Sequence, residues 1–166
     1  RATNHMFERA VSSYTGNLAD IKKELAEGHF FRAYNYFYLL KFFGGVPVVT
    51  KVLDVTSPEL YGKRNSRYEV VDLILSDLDE AIAGLPLEQN ITSADKGKIS
   101  KQAAQAFKAR VLLYEATWRK YNGTSTDFEG SAGPASDQVN TFLEESVQLS
   151  ETVMGDAAYS LWNYNN

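Results

Sequence analysis

The chain has 166 residues, 17 Lys and Arg against 21 Asp and Glu, a formal charge of −4 and no Cys. That balance argues against a nucleic-acid partner, because no cluster of basic residues is dense enough to replace phosphate counterions, and the missing Cys removes disulfides, thiolate metal sites and a thiol nucleophile together. The length suits one domain with its own core, residues 1–166, and no apolar run reaches the roughly 20 residues of a membrane-spanning helix, since Arg32 and Lys41 interrupt the longest one.

From Asn4 to Tyr14, Phe7, Ala10, Val11 and Tyr14 recur at helical spacing, and Thr15-Gly16-Asn17 breaks the pattern. Asn17 followed by Asp20 reads as a helix start, with Leu18, Ile21 and Leu25 leading on and Gly28 as a weak point. The next stretch, His29 to Pro47, reads H-F-F-R-A-Y-N-Y-F-Y-L-L-K-F-F-G-G-V-P. Its aromatics, Phe30, Phe31, Tyr34, Tyr36, Phe37, Tyr38, Phe42 and Phe43, surround the helix axis. Such a helix is expected to be central and covered on most sides, with these rings in the core. Gly44, Gly45 and Pro47 stop it near Phe43. Residues 44 to 65 then read as an irregular connection in which V-P-V-V-T could form a short strand.

Ser66 and Glu69 stand at capping-box spacing, and Val71, Ile74, Leu75, Leu78, Ala81, Ile82 and Leu85 follow at amphipathic intervals. The opposite face carries Asp72, Ser76, Asp79 and Glu80, and Gly84 with Pro86 ends the helix. Ser100 caps a helix predicted through Trp118, in which Ala103, Ala104, Ala106 and Ala109 permit close approach while Phe107, Val111, Tyr114 and Trp118 supply bulk. After a Gly, Ser, Thr and Asp-rich segment, Val139, Phe142, Leu143, Val147 and Met154 mark a last helix. The fold predicted is all-α: antiparallel helical hairpins of degenerate tetratricopeptide-repeat type. One hairpin pairs the aromatic helix with 67 to 84, and the other pairs 100 to 119 with 137 to 154. A strict 34-residue period is absent.

The residues Arg32, Ala33, Tyr34, Tyr36, Leu39, Leu40, Phe43, Gly44, Val46 and Pro47 match the pattern R-A-Y-x-Y-x-L-L-x-x-F-G-x-V-P. Together with Ser66 to Pro86 and Gly97 to Tyr114, in that order, this stretch resembles the SusD/RagB family of surface nutrient-binding lipoproteins of Bacteroidetes outer membranes. The resemblance implies a partial SusD-like fold, an early-middle segment of a longer protein whose lipid anchor lies outside this chain. It implies a protein exposed at the cell surface that binds an oligosaccharide or peptide and delivers it to a TonB-dependent, SusC-like transporter, with no bond made or broken. The alternative is a soluble tetratricopeptide-type adaptor binding a peptide or protein partner.

No enzyme motif is present: G-x-S-x-G and G-x-x-x-x-G-K-[ST] are absent. His5 and His29 lack metal-ligand spacing, and no cofactor is implied. Asp77, Asp79 and Glu80 read as a solvated or ion-paired helix face. Arg32 and Arg110 each interrupt an apolar stretch, where an unpaired guanidinium is costly to bury, so each is expected in an inter-helix ion pair with residues such as Glu27 or Asp77. Sugar rings present C–H faces that stack on aromatic rings. The candidate ligand-binding residues are therefore the aromatics at helix ends and in loops: Tyr61, Trp118, Tyr121, Trp162 and Tyr164, with Asn122, Asn163 and Asn165 as hydroxyl partners.

Overall fold

The computed structural model describes residues 1–124, 133–134 and 136–160. Five helices carry the chain: α1 (Ala2–Ser12), α2 (Lys22–Phe43), α3 (Arg67–Gly84), α4 (Lys101–Asn122) and α5 (Val139–Met154). Single 3-10 turns lie at Leu18–Ile21, Pro58–Leu60, Glu88–Asn90 and Ser93–Asp95. The helices pack as two antiparallel hairpins, α2 on α3 and α4 on α5, joined where α3 meets α4, while α1 lies against α2. The architecture is the all-α, tetratricopeptide-like one that the paired amphipathic segments predict.

Local signals fix the boundaries. Ser66 Oγ accepts from the Glu69 N–H at 3.2 Å and Glu69 Oε2 accepts from the Ser66 N–H at 2.7 Å, a complete capping box at the start of α3. Ser100 Oγ accepts from the Ala103 N–H at the start of α4. Gly44 ends α2 with φ of 67°, a conformation only glycine takes without strain.

α2 runs unbroken through Gly28. A Cβ there would lie 2.2 Å from Met6 Cε and 3.1 Å from Phe7 Cζ, so its missing side chain is where α1 approaches.

The core runs through both hairpins. Phe30, Ala33, Phe37 and Leu40 of α2 meet Val71, Ile74, Leu78 and Ala81 of α3, and Val111, Leu112 and Ala116 of α4 with Phe142 of α5 continue it. Fully burying each Leu, Ile or Phe contributes roughly 1.5–3 kcal/mol.

One expectation fails. One stripe of α2 is left uncovered: Phe31, Tyr34, Tyr38, Phe42 and Phe43 are exposed, Phe42 at 73%. Buried positions 26, 30, 33, 37 and 40 face α3 and the Phe107 and Tyr114 rings of α4, and Gly28 and Tyr36 face α1 and the following connection, which leaves the remaining stripe open.

The V-P-V-V-T segment forms no strand, and none occurs among the described residues. Side chains take the backbone groups that a strand partner would satisfy. Val48 N–H donates to Asn65 Oδ1 at 2.8 Å, and Val49 N–H donates to the Tyr36 hydroxyl at 2.8 Å. Asn4 Nδ2 donates to the carbonyls of Val49 and Lys51 at 2.9 and 3.1 Å.

Candidate functional site

Arg32 and Asp77 form a bidentate pair between α2 and α3. Arg32 Nε and Nη2 each lie 2.7 Å from a different Asp77 oxygen, and His29 Nδ1 adds a third contact at 2.7 Å. Asp77 is buried, which alone would push its carboxyl up. The hydrogen bonds from Arg32 and His29 outweigh that and hold it below the usual carboxylate range. Asp77 therefore belongs to the helix interface rather than to the solvated face of α3.

Arg110 requires a correction: it stands exposed on α4 and makes no ion pair among the described residues. Its neighbours three and four positions away are Ala106, Phe107, Leu113 and Tyr114, none of them acidic, and Arg32 and His29 already occupy Asp77.

Three buried charges escape a reading of apolar runs. Glu115, fully buried on α4, accepts from Arg67 Nη2 at 2.7 Å through one oxygen and from Arg119 Nε at 2.8 Å through the other. Arg67 opens α3 beside a cap and Arg119 sits in the basic last turn of α4, places where a charge usually faces water. The available signal was Glu115, the single carboxylate of α4, flanked by Val-Leu-Leu-Tyr and Ala-Thr-Trp and four residues before an Arg.

Aromatic rings sandwich the triad. The Arg67 guanidinium lies 4.2 Å from the Trp118 ring, and that of Arg119 lies 4.7 Å from Phe142. Two turns earlier on the same face of α4, Lys108 joins Asp79 of α3 to Glu145 of α5 at 2.6 and 2.5 Å.

Trp118 and Tyr121 come together. They line a shallow groove of about 440 Å³ on α4 with Arg110, Leu113, Tyr114, Thr117 and Asn122. Trp118 is held on its inner side by Arg67 and is 38% exposed, whereas Tyr121 is 77% exposed. Asn122 Nδ2 donates to the Trp118 carbonyl at 2.9 Å, and Thr117 Oγ1 donates to the Leu113 carbonyl at 2.7 Å.

The aromatic surface continues onto α2. Tyr34 lies 5.4 Å from Phe107 and 4.9 Å from Tyr38, ring to ring, and its hydroxyl meets that of Tyr38 at 3.2 Å. That hydrogen bond raises the Tyr34 phenol, while the nearby Arg110 charge pulls the other way.

Tyr61 is exposed in the connection between α2 and α3 and does not line this groove. Trp162 and Tyr164, with Asn163 and Asn165, lie outside the described residues. A larger cleft of about 950 Å³ between α1, α2 and the connection is mostly apolar, and its Arg32, Asn4 and Tyr36 are engaged in the bonds given above. Among the described residues no group of three or more His, Asp or Glu is placed to hold a metal ion, and no helix is long and apolar enough to cross a membrane.

A family model described as "starch-binding associating with outer membrane", a SusD-like model, matches residues 3–113. A SusD-like protein of Formosa agariphila is 35% identical over 108 residues, which is 64% of this chain and 20% of that protein. A SusD-like protein from Bacteroides fragilis superposes with a TM-score of 0.64 at 31% identity, over 90% of this chain and 25% of its own. A SusD superfamily protein from Parabacteroides distasonis gives 0.71 at 26% identity, over 96% of this chain and 30% of its own. The chain thus spans between a fifth and about a third of the length of these relatives. With well over half of its residues matched by the family model and its paired helices shared with these structures, the chain belongs to the SusD-like family.

Proposed function

We propose that the chain is the helical portion of a surface-exposed outer-membrane protein that binds an oligosaccharide and hands it to a TonB-dependent, SusC-like transporter. The observation that carries the binding part is the groove on α4, where Trp118 and Tyr121 stand side by side with the polar groups of Thr117, Asn122 and Arg110. A pyranose ring laid on the indole buries its C–H face, and its hydroxyls reach the polar side chains. Nothing in this chemistry makes or breaks a bond, so the protein acts by capture and release, without a cofactor. Tyr61, Trp162 and Tyr164 are further aromatic contacts for a longer ligand. A laminarin-binding SusD-like protein, 27% identical with a TM-score of 0.59, supports the glycan class. The family description, with its outer-membrane association, supports the location.

The test uses the full-length protein. Affinity electrophoresis against a panel of polysaccharides should show retention that Trp118→Ala and Tyr121→Ala each weaken about tenfold, a loss typical of truncating a central aromatic anchor. Far-UV circular dichroism should be unchanged. Retention that survives both substitutions would remove the α4 groove from the binding role. Co-purification from detergent-solubilised membranes tests delivery: a stoichiometric TonB-dependent receptor supports it, and recovery with soluble partners alone would favour the adaptor.

A further inference from the structure

The groove on α4 differs from a neutral sugar platform in its charge. Although the chain as a whole is acidic, α2 carries no Asp or Glu from Gly28 to its end at Phe43. The single carboxylate of α4, Glu115, is fully buried between Arg67 and Arg119. Among the described residues, these two helices therefore bring no exposed carboxylate to the face they share, yet that face carries Arg110 with no ion pair among the described residues. Lys41 extends the same surface, its ammonium 4.3 Å from the Tyr38 ring. Behind the indole, the Arg67 guanidinium at 4.2 Å draws electron density from the ring. A ring so polarised is a weaker partner for neutral C–H groups and a better neighbour for a negative charge.

We infer that the ligand of this groove is an acidic oligosaccharide, one of its sugar rings lying on Trp118 and its carboxylate or sulfate held by the Arg110 guanidinium. Arg suits the role because its planar fork meets two oxygens of a carboxylate or sulfate at once. This assignment rests on the glycan-binding reading given above and adds the charge class of the sugar. The Tyr34 hydroxyl feels the Arg110 charge and donates to the Tyr38 hydroxyl, which leaves the Tyr38 proton for an anionic group on this face.

The experiment is isothermal titration of the full-length protein with matched oligosaccharides: oligogalacturonate and its methyl ester, sulfated carrageenan oligosaccharide and its desulfated form, and neutral laminari-oligosaccharide. At least one charged member is expected to bind about tenfold or more tighter than its neutral counterpart, the scale of a hydrogen bond to a charged group. The margin should shrink as salt is raised. Whichever pair shows the margin identifies carboxylate or sulfate as the source. Arg110→Gln is expected to reduce the charged ligand to the affinity of its neutral form, and Arg110→Lys to restore part of it.

Neutral oligosaccharides that bind as tightly as charged ones, with Arg110→Gln unchanged, would overturn the acidic assignment and leave the platform intact. Failure of every oligosaccharide to bind would overturn both readings. An Arg110→Gln protein that melts earlier but binds as before would overturn the assignment too, and would place an acidic segment of polypeptide over this face.

Discussion

Arg67 and Glu115, 48 positions apart in the chain, are joined by two hydrogen bonds to one carboxylate oxygen, from Nε at 3.0 Å and from Nη2 at 2.7 Å. Neither side chain is more than 3% exposed. Glu115 is the carboxylate paired with two buried cations, so removing it takes a counter-charge from both. Glu115→Ala is expected to lower unfolding stability by about 3–5 kcal/mol, the cost of leaving buried charge uncompensated. Replacing all three members, as Arg67→Met with Glu115→Leu and Arg119→Met, should recover most of that loss. Urea titration of the variants gives the answer, and a Glu115→Ala loss below 1 kcal/mol would mean that water reaches the triad.

Asp77 makes the first hairpin sensitive to acid. Its carboxyl is held below the usual value near 4, so the folded state keeps the charged form at a pH where the unfolded chain has begun to take up a proton. The stability it contributes is fully present above that usual value and is lost as pH falls through the lower folded one. Asp77→Asn should remove this dependence and lower stability at neutral pH, because it leaves Arg32 without its anion. Melting temperatures from pH 7 to pH 2.5 for the two proteins check the sign. Parallel curves would remove Asp77 as the source.

Gly84 is where α3 meets the start of α2. A Cβ there would lie 2.6 Å from Ala26 Cβ and 3.2 Å from the Lys22 carbonyl oxygen, neither of which can swing away. Alanine is the better helix former by about 1 kcal/mol. Even so, Gly84→Ala is expected to destabilise by about 1–3 kcal/mol through overpacking. The double change Gly84→Ala with Ala26→Gly should recover part of the loss, and thermal melts of the three variants separate the two effects.

Tyr36→Phe removes the acceptor of the Val49 N–H. Because the donor stays in a half-buried segment, the expected cost is about 1–3 kcal/mol. Amide exchange should quicken at Val49 while the α3 amides stay protected. Unchanged exchange at Val49 would show that another acceptor, or water, serves it.

The parts of this fold legible in the sequence are those written in short-range rules. The capping box at Ser66 and Glu69, the apolar stripe of α3 and the small residues of α4 each depend on neighbours three or four positions away, and the helix pairing follows from them. The coverage of α2 was not legible, because a ring of aromatics around a helix does not say how many neighbours the helix has. Arg32 and Arg110 look alike in sequence, both set among apolar residues. Which one is buried depends on the turn of the helix facing α3, a fact of packing alone. In the groove, Trp118 and Tyr121 were legible as helix-end aromatics one turn apart. The electrostatic character of their surface was not, since it depends on Glu115 turning inward and on Arg67 arriving from another helix.

The connection between α2 and α3 is fastened at Val48, Val49 and Lys51 by side chains of Asn65, Tyr36 and Asn4. A paired strand takes an insertion as a bulge or by slipping its ladder, whereas a segment pinned at discrete points divides into compartments of unequal freedom. Between Pro47 and Lys51 the number of residues is fixed by three anchor side chains on two different helices and one loop, and adding or deleting one would misplace every later anchor. From Val52 to Arg64 the chain runs over the surface with mainly local bonds, such as those of Asp54 to Thr56. The second compartment is therefore the one that accepts added residues at little structural cost, and the exposed Tyr61 rides on it.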